Sequence, residues 1–402
     1  VNQSRIAQRV RRIKPSPSTA AADRANELRR EGKSIVNLVI GEPDFDTPPH
    51  IRQAAAYAME HGATRYTAML GTLELRQAIV AKLARENGLT YAPTEIIATN
   101  GAKSAIYSAL AATLEPGDEV IIPAPYWVSY PDMVLANDGT PVAVACPEHQ
   151  GFKLTPAQLE SAITPRTRWL LINSPSNPTG AAYSAPEYRA LAEVLARHPH
   201  VLVTTDDIYE HIRFDGQQTP HLLAVAPELR DRTLAINGVS KTYAMTGWRI
   251  GWAAGPRDLI QALETLLSQS AGNCCAVSQA AAAAALNGDQ GFVAECVATY
   301  RKRRDRTAQR INAIPGLSCA VPDGAFYLYV NCAKLLGKSV RGGRQLDTDE
   351  DVVMYLLEGA GVAVVAGSAY GLSPYFRISI ATSIETLMEG TDRMARAVAD
   401  LV

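Results

Sequence analysis

The stretch SKTYAMTGWRIG, residues 240–251, sets Lys241 among small and polar residues, with Arg249 eight positions on and glycines close by. A protonated lysine amine is a poor nucleophile. Desolvation or a neighbouring cation lowers its pKa and frees the lone pair to attack a carbonyl. Arg249 offers both the neighbouring charge and a clamp for an anion. Taken alone, the run also fits a surface Lys and Arg beside a helix start, so what surrounds it decides the reading.

Outward from this stretch the chain alternates between two periodicities. Short β-rich runs at Ile96–Thr99, Glu119–Pro123, Pro141–Ala145, Trp169–Asn173, Val201–Thr205, Thr233–Asn237 and Ile250–Ala254 are separated by helical patterns such as Lys103–Thr113, Pro186–His198 and Leu259–Ser268. Strand and helix in alternation predict an α/β domain with a mainly parallel sheet, whose ligands sit at the carboxyl ends of the strands. Upstream, Ile35–Ile40 reads as a strand, while Ile51–His61 and Leu73–Asn87 read as helices. Beyond Gly288 come a long helix, strands at Leu317–Val321, Ala325–Val330, Val362–Val365 and Phe376–Ala381, and a helix at Glu350–Gly359. These predict a smaller α+β domain. The expected division is a large domain over 47–290 and a small one built from 1–46 and 291–402.

Composition narrows the function classes. Thirty-nine Lys and Arg against 40 Asp and Glu give a net charge of -1, so nothing favours nucleic acid or an anionic membrane. No apolar run approaches the roughly 18 residues of a membrane span. The first residues, VNQSRIAQRVRRIKPSPS, are basic but lack the apolar centre of a secretory signal; their Arg and Ser content leaves a transit peptide open. Six cysteines with no CxxC pair and no histidine cluster point to buried thiols in a reducing cytoplasm rather than disulfides or a metal site.

Several strand ends carry groups suited to chemistry. Gly101-Ala102-Lys103 opens a helix, where free amides attract phosphate; a plain strand-to-helix turn is the alternative. Trp127 in Pro125-Tyr126-Trp127 can stack on a planar ring or simply pack in the core. Asn173–Gly180, NSPSNPTG, holds Asn177 between prolines, as a rigid donor or as ordinary turn chemistry. Asp206 and Asp207 end an apolar strand, with Tyr209 following. A carboxylate there can keep a pyridine nitrogen protonated, and helix capping is the alternative. Arg377, in an otherwise apolar strand, needs an anion if buried: a substrate carboxylate or a structural partner.

These pieces, GEPDFDTP, RYT, PYWVSYP, NSPSNPTG, DDIYEH, SKTYAMTGWRIGW and PDGAFY, run in one order across almost the whole chain, from Lys14 to Phe376. Together they resemble the class I, aspartate-type aminotransferases of fold type I, in the bacterial subgroup that includes aspartate and aspartate/prephenate enzymes. The resemblance implies pyridoxal 5′-phosphate bound through Lys241, which would also act as the acid/base. Asp206 would pair with the ring nitrogen, Tyr209 and Asn177 with the ring oxygen, and Trp127 would stack. Gly101, Ala102, Lys103, Ser240 and Arg249 would surround the phosphate, with Tyr66 supplied by the second subunit of a homodimer. Arg377 would clamp the α-carboxylate of an amino or 2-oxo acid, with Gly41, Trp127 and Asn177 beside it. Two departures stand out. Asp207 replaces the glutamate of many relatives, and 267–273 lacks the arginine that binds the distal carboxylate in some of them. Lys103, Ser16 and Ser18 match the positions that do this work in the similar subgroup. The implied reaction is transfer of the amino group of L-aspartate to 2-oxoglutarate. An aromatic or prephenate substrate, a pyridoxal-dependent C–S lyase and a pyridoxal-sensing regulator are the alternatives.

Overall fold

The computed structural model describes residues 5–15, 17–340, 343 and 345–402. Strand β1 (Val36–Asn37) stands apart from the strands that follow it. Then come β2 (Ile96–Thr99), β3 (Glu119–Ala124), β4 (Thr140–Ala145), β5 (Thr167–Asn173), β6 (Leu202–Asp206), β7 (Thr233–Gly238) and β8 (Gly251–Ala254). These seven form one sheet in the order β2-β8-β7-β6-β5-β3-β4. It is parallel except at β8, which runs antiparallel to both β7 and β2. The central strands are apolar on both faces because helices cover both sides. On one side, the helix Leu73–Asn87 starts at Thr72, whose hydroxyl accepts from Leu75 N at 3.2 Å, and stops at Gly88 in the left-handed conformation. The helix Ala102–Thr113 covers the other side.

The remaining strands, β9 (Tyr327–Asn331), β10 (Val362–Ala363), β11 (Val365–Ala366) and β12 (Tyr375–Ser379), make two small sheets. One is antiparallel, in the order β11-β12-β9; the other pairs β10 with β1 in parallel. The single expected strand 362–365 is therefore split at Val364 between two sheets. Expected strand 35–40 shortens to β1 because the pairing lasts two residues. Beyond it the Asn37 side chain caps Val39 N at 3.0 Å and Arg377 takes Val39 O. Expected strand 317–321 reduces to one bridge, Ser318 to Asn331. Ala325 adopts a positive φ of 56°, so β9 begins two residues late. No helix among the described residues is long and apolar enough to cross a membrane.

Candidate active site

At the carboxyl ends of β5, β6 and β7 the chain leaves a cavity of about 280 Å³. Most of the residues singled out in the sequence line it: Gly41, Ala102, Lys103, Trp127, Asn177, Asp206, Tyr209, Ser240, Lys241, Arg249 and Arg377. The parallel strands deliver Asn177, Asp206, Tyr209, Ser240 and Lys241 through loops at one edge, while Gly41 follows β1 and Arg377 comes from β12.

Lys241 donates to the carbonyl of Gly41 at 2.6 Å. Its pKa is pushed down to about 8, first by burial, against an upward pull from Glu42, with Arg249 and Arg377 adding to the depression. The amine is thus neutral in appreciable measure near neutral pH, as a nucleophile or base requires.

Asp206 ends β6, fully buried, and burial pushes its carboxyl up to about 6. The Tyr130 hydroxyl donates to Oδ2 at 2.6 Å and opposes that rise, while the charge of Asp207 adds to it. A carboxylate held this deep by a neutral phenol is suited to a cationic ligand atom. Asp207 turns the other way. It accepts from Thr205 at 2.7 Å and lies 3.2 Å from His221, so it caps no helix.

Arg377 is 2% exposed. It donates to Asn177 Oδ1 at 3.0 Å and Val39 O at 2.6 Å, and its plane lies 4.3 Å from the Tyr327 ring centroid. Its Nε has no hydrogen-bond partner, and among the described residues no carboxylate pairs with it. A buried guanidinium held only by neutral groups at the cavity wall is a ready partner for a ligand carboxylate. Asn177 is itself held by its own N–H to Asn173 Oδ1 at 2.8 Å, and Asn173 donates to Asp206 O at 2.7 Å.

The cavity also holds a helix start flanked by two cations. Gly101, at φ 85°, begins the helix Ala102–Thr113. A Cβ there would come 2.5 Å from Arg249 Nη2, so the glycine lets the guanidinium lie against the helix N-terminus. Gly251 packs as closely, since its Cβ would meet Ala102 N at 2.3 Å. Arg249 holds a left-handed conformation, with Nη1 on Thr246 O at 2.9 Å. Lys103 donates to Ser129 at 3.3 Å and sits 4.7 Å from the Trp127 ring centroid; burial, then Arg249, lowers its pKa. Trp127 packs edge-on against Tyr130, at 5.3 Å and 89°.

Within the cavity Tyr209 reaches Tyr327, hydroxyl to hydroxyl, at 2.9 Å. The remaining expected residues fall elsewhere. Tyr66 is 96% exposed and lies outside this cavity, on a surface opening it shares with Tyr57 and Ala280. Ser16 lies outside the described residues, and so does the side chain of Ser18. Sequence reasoning gave no role to Tyr130 or Tyr327, although both stand inside quoted motifs. Only the fold shows which ring of PYWVSYP reaches Asp206.

The sequence model described as "Aminotransferase class I and II" matches residues 33–394. A protein of Rhizobium meliloti named aspartate aminotransferase is 53% identical over 391 residues, covering 97% of this chain and 95% of its own. One of Cereibacter sphaeroides named aspartate/prephenate aminotransferase is 52% identical over 389 residues, covering 97% of each chain. Among solved structures, the Rhizobium meliloti aspartate aminotransferase superposes with a TM-score of 0.97 at 52% identity, over 99% of this chain and 100% of that one. Thermus thermophilus aspartate aminotransferase with maleate gives 0.91 at 40% identity, over 98% and 100%.

Proposed function

The chain belongs to the class I and II aminotransferases, and on that premise we propose that it transfers the amino group of L-aspartate to 2-oxoglutarate with pyridoxal 5′-phosphate as cofactor. One observation carries the reading. A depressed amine, a buried carboxylate without a cation and a guanidinium without an anion share one cavity.

The residues present fit the cofactor. Asp206 suits a protonated ring nitrogen, while the helix start at Gly101-Ala102 with Ser240 and Arg249 suits the phosphate, and Lys103 lies near it. Trp127 suits the ring face, Tyr209 and Asn177 its oxygen, and Lys241 its carbonyl carbon. When bound, the cofactor supplies a carbonyl that takes up the amino group and a ring that withdraws negative charge from the substrate α-carbon. The chain does the rest. Lys241 would take the proton from the substrate α-carbon and later return one. Asp206, kept ionised by Tyr130, holds the ring nitrogen proton in place. Arg377 binds the α-carboxylate through its guanidinium N–H groups, with Gly41, Trp127 and Asn177 beside it. Lys103, with Ser16 and Ser18, receives the distal carboxylate. Tyr66 of a second copy completes the phosphate site in a homodimer. Maleate, the dicarboxylate that accompanies the Thermus thermophilus enzyme in its solved structure, supports this substrate class.

A second reading keeps the chemistry and takes prephenate as amino acceptor, as the Cereibacter sphaeroides name suggests. The test is to mix cofactor-loaded protein with single amino acids and no acceptor, and to follow the absorbance of the bound cofactor. Rapid conversion to its aminated form by aspartate and glutamate alone supports the proposal. A preference for aromatic or aliphatic amino acids overturns the substrate, and keto-acid release without amination overturns the transfer.

A further inference from the structure

On the reverse of the loops that carry Asp206 and Lys241 lies a polar cluster to which the proposed chemistry gives no task. The turn after β6 points Asp206 and Tyr209 into the cavity, and Glu210 and His211 away from it. The segment after β7 does the same, with Lys241 in front and Thr242 behind. The two rear faces meet: His211 Nδ1 lies 3.1 Å from the Thr242 hydroxyl, and Glu86 Oε2 lies 2.9 Å from His211 Nε2. The Glu86 carboxylate accepts from Nε2–H, and Nδ1 shares the second hydrogen bond with the Thr242 hydroxyl. Glu86 comes from the helix Leu73–Asn87, so three separate elements are tied at one imidazole.

Carboxylate, imidazole and hydroxyl in line also describe a nucleophilic triad, but Thr242 is 4% exposed and the void beside it measures about 10 Å³. No substrate fits. Nor is the cluster short of a cation. The Lys82 ammonium pairs with Glu210, lies 3.6 Å from Glu86 Oε2 and donates to Asn87 Oδ1 at 2.7 Å. What remains is the geometry: two catalytic segments crossbraced from behind.

We propose that Glu86, His211 and Thr242 are positioning residues, a brace that fixes the spacing between Asp206 and Lys241 and holds the Lys241 amine in its water-poor site. The proposal rests on the reading of Lys241 as the cofactor-binding amine. The groups that face this amine are Glu42, Arg249, Arg377 and Asp206; those that face the His211 ring include Glu86, Glu210 and Tyr243. None of them needs to change for the brace to act, because it works through the backbone of 241–242.

The test measures the amine itself. The whole chain is stripped of cofactor, and the rate at which it captures added pyridoxal 5′-phosphate is followed against pH. For the unaltered protein the midpoint is expected near 8. In Thr242→Val the loosened segment admits water, so the midpoint rises by about half a pH unit or more, toward an ordinary lysine. Thr242→Ser, which keeps the hydroxyl, restores it. In the loaded enzyme kcat falls about tenfold while KM changes less than about twofold, the pattern of a misplaced reacting group. A folded Thr242→Val with unaltered midpoint and kcat overturns the brace, as does a Thr242→Ser that shifts equally. Should Thr242→Val not fold, Glu86→Gln decides on the same readout: a raised midpoint supports the brace and an unchanged one overturns it. If the unaltered chain captures no pyridoxal 5′-phosphate, the reading of Lys241 falls and the brace with it. Capture with unchanged variants removes the brace alone.

Discussion

Asp206 and Glu210 are two carboxylates on one turn, both fully buried, and their pKa values move apart. Burial carries Asp206 up to about 6, with the Tyr130 phenol and the Ile208 N–H as its side chain's partners among the described residues. Burial also pushes Glu210 upward, but the charges of Lys82 and His211 and the bonds from Lys82 and Asn87 outweigh it and hold Glu210 down at about 2. The rear of the turn is a satisfied ion pair that belongs to the fold. The front is a carboxylate with a neutral partner that gains from a cation, which is how a binding site differs from a structural network.

The sharpest way to break this contrast is at the front. Lys241→Ala should cut turnover by about 10⁴-fold or more, while the folded protein still takes up pyridoxal 5′-phosphate noncovalently. A steady-state rate near the unaltered value would remove Lys241 from the chemistry. At the rear, Glu210→Gln leaves the Lys82 ammonium buried with a weaker partner and should cost about 3 kcal/mol of stability, read in urea unfolding. Glu210 has a folded pKa below its unfolded one, so its contribution is present above the ordinary 4.5 and lost as pH falls from there toward about 2. The variant should show a shallower stability–pH slope across that window, and an identical slope would mean that Glu210 is not the titrating partner.

Tyr130→Phe tests the front more gently. Losing a hydrogen bond to a carboxylate raises its pKa by roughly 1–2 units. The acid limb of the activity profile should then move upward, with about a two- to tenfold loss near pH 7. A profile displaced downward would contradict the role given to Tyr130. The smallest effect is expected at the rim. Lys103→Ala should lower kcat/KM for aspartate about fivefold and that for alanine by less. Equal losses on both would place the distal carboxylate elsewhere.

How far the sequence could be read follows the same division. The large sheet was legible because its strands are short apolar runs buried on both faces, each closed by polar residues at the edge that builds the cavity. Lys241, Asp206 and Asn177 were visible for that reason, and Arg377 as a lone cation in an apolar strand of a small sheet. The pairing of Val362–Ala363 with one sheet and Val365–Ala366 with another was not, because a four-residue apolar run carries no sign of changing partner at Val364. Tyr130 was hidden among three aromatic residues of one motif, since which ring reaches a carboxylate depends on where the helix Tyr130–Ala136 begins. The link between His211 and Thr242 joins side chains from different loops, and no local pattern records it.

The bond from Arg377 to Val39 joins residues 338 positions apart. All seven strands of the large sheet lie before residue 255, and Lys241 among them. On the ribosome, then, the strands of the sheet and Lys241 emerge well before the arginine that is to clamp the carboxylate. The segment around Val39 must wait, unpaired, until Val362 and Arg377 emerge. Arg377 both clamps the carboxylate and adds to the depression of the Lys241 amine, so selectivity and the last of the tuning arrive together.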